Sequence, residues 1–257
     1  VVAVVSYEEP GDFRDPDGTL VCGYCGKPKE TEPYVNGVRF PIVHDHQLQA
    51  LVRHDETAEE LAERIERNRA KCFAGEFAEE GIRDTFDSAA LDTDQAALQE
   101  CQSFVKRFSQ ERMAKTGAGL ILFGQVGRGK TFLAGCVCNA LLDEGWRCLM
   151  TSTRRIRSEI DRTYGSQNDV LDRLCRNDLV VLDDLFRDKD TEAGREVLFT
   201  VVDALYKMRV PVIVTTNLSK DSLTFPNEGD AAVVERLKER CRRVEVAGPN
   251  RRQVRML

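Results

Sequence analysis

The chain has 257 residues, 42% of them hydrophobic and 31% charged, with a formal net charge of −6. That length suits one large domain, or a medium domain with a small one, and the apolar content excludes global disorder. The apolar runs VVAVVS at the start and LVVL at 179–182 fall well below the roughly 18 residues a membrane span needs, so no association with a membrane is expected.

Residues 1–20 carry Pro, Gly and Asp clusters without a sustained period and read as a tail or loop. They show neither a basic n-region nor a long apolar h-region, so no secretory signal is expected. The front of the chain is acidic: residues 1–90 hold 10 Lys/Arg against 19 Asp/Glu, whereas residues 91–257 hold 27 against 24. Two kinds of partner fit such an asymmetry, and so does plain solvated surface. The nine cysteines are scattered, most of them in apolar segments such as those of Cys136, Cys138 and Cys148. Reduced, buried thiols and a cytoplasmic location are the expectation.

Residues 21–47 form a compact Cys/His segment with a hairpin signal at Asn36-Gly37. Cys22-x-x-Cys25 points two thiolates at one metal, and His44-x-His46 places two imidazoles on one side of an extended chain. Together they are the donors of a tetrahedral structural Zn²⁺, with His54 or Cys72 as substitutes for one histidine. So short a segment cannot build a core without a metal. Acidic surroundings favour a protein partner over DNA. From Glu56 to Phe73 apolar residues recur at helical spacing opposite a Glu/Arg face, predicting an amphipathic helix. Residues 21–85 are therefore expected to form a small zinc-binding, partner-docking domain. A connector at 74–94 and a helix over about 95–115 follow.

The pattern then changes. Short buried strands GLILFG, RCLMTS, LVVLDD, VPVIVTTN and RRVEVA alternate with helices, which predicts an α/β domain over 86–257, a parallel sheet flanked by helices. Gly124-Gln125-Val126-Gly127-Arg128-Gly129-Lys130-Thr131 matches G-x-x-x-x-G-K-[ST] between a strand and a helix. In such a P-loop, glycines let backbone N–H groups wrap phosphate oxygens, and the helix N-terminus adds a favourable dipole. Lys130 supplies charge to the β/γ-phosphates, and the Thr131 hydroxyl ligates Mg²⁺. Phe132, next in the helix, completes the expected nucleotide-binding set for ATP. The strand at 179–182 ends in Asp183, placed to hold Mg²⁺, and Asp184, the candidate for activating the attacking water. Where many ATPases carry Glu, the shorter Asp184 predicts slower hydrolysis. Asn217, ending VIVTTN, is positioned to bond the water or the γ-phosphate. Arg236 and the pair Arg251-Arg252 are candidates for phosphate contact, each weighed against ordinary surface solvation.

The order GQVGRGKT, LVVLDD, TTN, ERLKERC and GPNRR resembles AAA+ ATPases of the DnaC/DnaI helicase-loader type, with IstB transposition helpers as close relatives. The resemblance covers roughly residues 86–257. It implies Walker A at 124–131, Walker B at Asp183 and Asp184, and sensor 1 at Asn217. It also implies an arginine finger at Arg236, or at Arg240, acting on a neighbouring subunit, and sensor 2 at Arg252, or at Arg251. The implied role is to bind a replicative helicase through the N-terminal domain and place it on single-stranded DNA. Loaders of this type often carry a zinc domain with Cys-x-Cys where this chain has His-x-His. The basic stretch Arg154, Arg155 and Arg157 is a candidate contact for single-stranded DNA, and equally a solvated face. The rival readings are an IstB-like transposition helper and a nucleotide-sensing adaptor that scarcely hydrolyses ATP.

Overall fold

Each main strand is five residues long, and the three inside the sheet are wholly buried because helices cover both of its faces. The computed structural model describes residues 13–14, 16, 20–21, 57–79, 81, 84–89, 93–111, 113–114, 116–162, 167–186, 192–224, 226 and 228–250. Strands β3 (Gly119–Phe123), β4 (Cys148–Ser152), β5 (Leu179–Asp183), β6 (Val212–Thr216) and β7 (Cys241–Glu245) form one sheet in the order β4-β5-β6-β3-β7. All four pairings are parallel. The period-2 alternation divides each strand between two cores. Leu120, Leu122, Met150 and Val181 face one side, and Ile121, Phe123, Val180 and Leu182 face the other. Each such buried side chain contributes about 1.5–3 kcal/mol of transfer free energy.

The first core is closed by α2 (Gln95–Gln110) and α3 (Lys130–Asp143), through Phe104, Phe108, Leu133, Val137 and Leu141. The second is closed by α4 (Thr153–Arg162), α5 (Gln167–Cys175), α6 (Glu192–Lys207) and α8 (Glu228–Arg240), through Ile156, Leu174, Leu198, Val202 and Val234. A short helix, α7 (Lys220–Thr224), lies between β6 and α8. The predicted helix over 95–115 ends earlier, at Gln110. Residues 228–233, ahead of Arg236, form the first turns of α8.

The chain divides into two compact units, 1–61 and 62–257. In the first, strands β1 (Phe13–Arg14) and β2 (Leu20–Val21) pair antiparallel, so the expected tail contains a short ribbon. Helix α1 (Ala58–Cys72) begins on a capping box. Glu60 N donates to Thr57 Oγ1 at 3.2 Å, and Thr57 N donates to Glu60 Oε2 at 2.9 Å. The zinc candidates Cys22, Cys25, His44 and His46, the alternative His54, and the Asn36-Gly37 hairpin lie outside the described residues.

Residues 62–89 belong to the larger unit, although the sequence pattern groups 62–85 with the front domain. Cys72, Phe73 and Phe77 enter the first core. Asn139 of α3 is a buried hub for this segment. Its Nδ2 donates to Gly81 O at 2.7 Å and to Asp84 O at 2.8 Å, and its Oδ1 accepts from Arg69. Cys72 is no zinc ligand substitute here: its thiol is fully buried, hydrogen-bonded to Cys138 and pushed well above the ordinary thiol range, chiefly by burial. Cys136, Cys138 and Cys148 are likewise buried and outside any disulfide. No group of three or more His, Cys, Asp or Glu suited to a metal occurs among the described residues. Nor is any helix among them long and apolar enough to cross a membrane.

Candidate active site

The phosphate loop joins β3 to α3. Gly124, Gly127 and Gly129 all have positive φ, at 141°, 79° and 93°. Gly127 has a second constraint. A Cβ there would sit 2.2 Å from Asn250 Oδ1, so the segment after β7 closes against the loop. Arg128 fixes the same approach, donating to Gly248 O at 2.5 Å and to Gln125 Oε1 at 2.7 Å. Asp94 anchors that segment from behind. Its Oδ2 accepts from Ala247 N at 2.7 Å, while Oδ1 caps α2 by accepting from Ala96 N and Ala97 N. Val126 is exposed at the loop tip.

Lys130 is only 5% exposed, and its ammonium lies back on the loop, donating to Gly124 O and Gln125 O at 2.8 Å each. The loop carbonyls thus keep the buried charge hydrogen-bonded. Thr131, one residue on, donates its hydroxyl to Asp183 Oδ1 at 2.8 Å. The predicted pair of metal-side oxygens is therefore brought together from α3 and β5. Phe132 follows in the first turn of α3, partly buried against the first core.

Asp183 accepts a second hydrogen bond, from Thr215 Oγ1 at 2.7 Å. The same Thr215 hydroxyl accepts from Asp184 N at 2.9 Å. Burial pushes the Asp183 carboxyl up. The hydrogen bonds from Thr215 and Thr131 pull it back, and the charges of Asp184 and Glu76 add to the rise. Asp184 itself has φ 50°, a left-handed conformation that Asp tolerates better than Glu. Asn217 lies exposed just past β6. Thr215, two residues earlier, makes the contact with Asp183. Nothing local in the sequence marks Thr215, because only the pairing of β5 with β6 turns a strand threonine into a Walker B partner.

Hard oxygen donors, a hydroxyl and a carboxylate, suit Mg²⁺. Burial disfavours the Asp183 anion by itself, which fits a cation arriving there. The N–H-lined loop at a helix N-terminus fits a polyphosphate. Thr131 and Asp183 are the residues that would hold Mg²⁺, and the loop with Lys130 would hold ATP phosphates. Bound Mg²⁺ would neutralise charge on the β- and γ-oxygens.

The remaining candidates lie in other contacts. Arg236 on α8 pairs with Asp203 of α6, Nε at 3.0 Å and Nη2 at 2.9 Å, and its guanidinium stacks 4.8 Å from the Phe199 ring centroid. Arg240, the alternative finger, donates to Tyr206 O at 2.9 Å and lies 3.9 Å from the Tyr206 centroid. Arg154 pairs with Glu76 at 3.0 Å, and Arg157 with Asp161 at 3.9 Å. Arg155 donates to Ala74 O and pairs with Glu159 at 3.3 Å, so its guanidinium is engaged within the molecule. Arg251 and Arg252 lie outside the described residues.

A parallel sheet in the order β4-β5-β6-β3-β7, with a Walker A loop after β3 and paired aspartates at the end of β5, the two strands that flank β6, defines a P-loop fold of AAA+ type. The chain belongs to the IstB-like ATP-binding protein family, whose model matches residues 49–256. It is 31% identical over 195 residues to the insertion sequence ATP-binding protein y4iQ/y4nD/y4sD of Sinorhizobium fredii, covering 74% of this chain and 62% of that one. It is 25% identical over 170 residues to the replicative helicase loader DnaI of Bacillus subtilis, covering 61% and 54%. The chain thus spans little more than half the length of these relatives. A crystal structure of the DnaC helicase loader superposes with a TM-score of 0.56 at 23% identity, covering 66% of this chain and all of that one, which shows a shared fold.

Proposed function

We propose that this protein is an ATP-hydrolysing helicase loader. In this reading it binds a replicative helicase through its N-terminal part and uses ATP binding and hydrolysis to place it on single-stranded DNA. The observation that carries the ATPase reading is the convergence of Lys130, Thr131, Asp183 and Thr215 at one end of the sheet. Lys130 holds the phosphates, Thr131 and Asp183 the metal, and Asp184 with Asn217 orients the attacking water. Similarity to DnaI supports the loader role. So does the acidic Cys/His front of the sequence, in which Cys22, Cys25, His44 and His46 hold a structural Zn²⁺. Metal analysis of purified protein tests that site: about one zinc per chain is expected, falling on Cys22→Ser substitution.

Arg236 completes a neighbouring subunit's site after leaving Asp203, with Arg252 as the in-chain phosphate contact. Subunit mixing tests the finger. Lys130→Ala and Arg236→Ala chains, each inactive alone, recover turnover when combined, because one supplies the intact loop and the other the intact finger.

A second reading, an IstB-like transposition helper acting with a transposase on duplex DNA, is favoured by the 31% identity to the Sinorhizobium protein. The deciding experiment is ATP turnover with single-stranded DNA, duplex DNA and replicative helicase in separate arms, with Lys130→Ala as control. Lys130-dependent turnover that responds to helicase and single strands supports the loader. A response to duplex alone supports the transposition helper, and nucleotide binding with no turnover in any arm overturns both in favour of an adaptor.

A further inference from the structure

We infer that Glu76 is a positioning residue for the nucleotide's metal, and that the turn carrying it couples metal binding to the C-terminal half of α1. This rests on the Mg²⁺·ATP reading above. The 3₁₀ turn Gly75–Phe77 follows α1 and is held at the C-terminal end of β4 from several sides. Phe77 is buried in the first core. Arg155 of α4 donates to Ala74 O. Gly75, at φ 70°, leaves the space this guanidinium takes: a Cβ there would lie 2.2 Å from Arg155 Nη1.

Glu76 Oε1 accepts from Ser152 Oγ at 2.7 Å, and Oε2 accepts from Arg154 Nη2 at 3.0 Å. Ser152 ends β4 and stands opposite Asp183 in the parallel register. Glu76 is therefore a further carboxylate at the level of Asp183, one residue, Ser152, away across the strand pairing. Capping explains part of the arrangement. Ser152 Oγ also accepts from Arg155 N at 3.4 Å, and a carboxylate at the start of α4 complements the helix dipole. A cap, however, is served as well by a neutral acceptor. A negative charge next to Asp183 disfavours the site without a cation and favours it with one, while Arg154 offsets that charge. By linkage, whatever Mg²⁺ gains from a docked Glu76, the docked turn gains from Mg²⁺.

The test uses the full chain as wild type, Glu76→Gln and Arg154→Ala. Binding of a fluorescent ATP analogue is titrated with Mg²⁺, with a parallel arm in EDTA, and amide exchange is followed over residues 62–79. Glu76→Gln is expected to weaken the Mg²⁺ dependence by about three- to tenfold, the scale of one partly screened charge acting on a divalent ion. Arg154→Ala is expected to strengthen it, and the EDTA arm to stay unchanged in both. Mg²⁺·nucleotide is expected to slow exchange over 62–79 in wild type and not in Glu76→Gln. A capping role alone moves both variants the same way. That result, or no shift in either variant while wild type binds normally, overturns the inference. Absence of Mg²⁺-dependent nucleotide binding in wild type would overturn the nucleotide reading itself, and this inference with it.

Discussion

Thr215 donates its hydroxyl to Asp183 Oδ1 at 2.7 Å from the adjacent strand, so the metal-side carboxylate is aimed by a residue 32 positions later in the chain. The Thr215 hydroxyl oxygen in turn accepts from Asp184 N at 2.9 Å, and one side chain thus sets the direction of both aspartates. Thr215→Val keeps the shape and removes both hydrogen bonds. It is expected to cost about 1–3 kcal/mol of stability, because Asp183 is buried and loses a partner. Mg²⁺-dependent nucleotide binding is expected to weaken while binding in EDTA is retained. Thermal melts and nucleotide titrations check this, and unchanged Mg²⁺ dependence would count against the role.

Asp183 behaves oppositely to a typical surface carboxylate. Its native pKa is raised above the ordinary 3.8, first by burial. Its contribution to stability is therefore fully present below 3.8 and is lost as pH rises through the raised native value. Asp183→Asn should accordingly raise the melting temperature of nucleotide-free protein at neutral pH by about 2–4 °C. The gain should disappear below pH 3.8, and Mg²⁺-dependent binding should be lost at every pH. A lower melting temperature at neutral pH would refute the argument.

Asp184 is separable from Asp183 by function. Asp184→Asn should bind Mg²⁺·ATP within about threefold of wild type and turn it over at least about 100-fold more slowly, as expected when a general base is removed. Asp184→Glu lengthens the carboxylate but places it at φ 50°, which adds strain on the order of 1 kcal/mol. If the short carboxylate limits hydrolysis, that variant is less stable and faster. Single-turnover kinetics beside a melting curve separate the two effects.

Asp203 gives the ordinary sign. Its carboxyl lies below 3.8, chiefly through the hydrogen bond from Lys207, with burial opposing and Arg236 adding to the fall. Its contribution is present above pH 3.8 and is lost as pH falls through the lowered native value. Asp203→Asn should therefore be less stable than wild type at neutral pH, with the two melting temperatures converging in acid. The substitution also frees Arg236, so a finger role predicts that turnover in the assembled protein survives it.

The α/β alternation was legible because the strands inside the sheet are buried runs that both of its faces require, and each following helix carries its own 3.6-residue pattern. The loop from Gly124 to Thr131 was legible for the same local reason: its chemistry is written in consecutive residues between a strand and a helix. Helix ends were less so, as at Gln110, where nothing in the local pattern stops the periodicity. Thr215, Glu76 and the closure of Asn250 on Gly127 were invisible for another reason. Each acts on a partner far away in sequence, and its residue type is unremarkable where it stands.

By itself, then, the sequence determined the class of the site: a phosphate loop, a metal-side carboxylate and the residue types each needs. The tertiary structure decided which side chains meet. Parallel pairing carried Thr215 to Asp183 and Ser152 to its level. Burial turned Asp183 into a carboxylate that a cation would relieve. Packing drew the 62–89 segment onto α3 through Asn139 and Arg69. Hydrophobic periodicity is a local property of the chain, whereas the environment of a charge depends on every element folded around it.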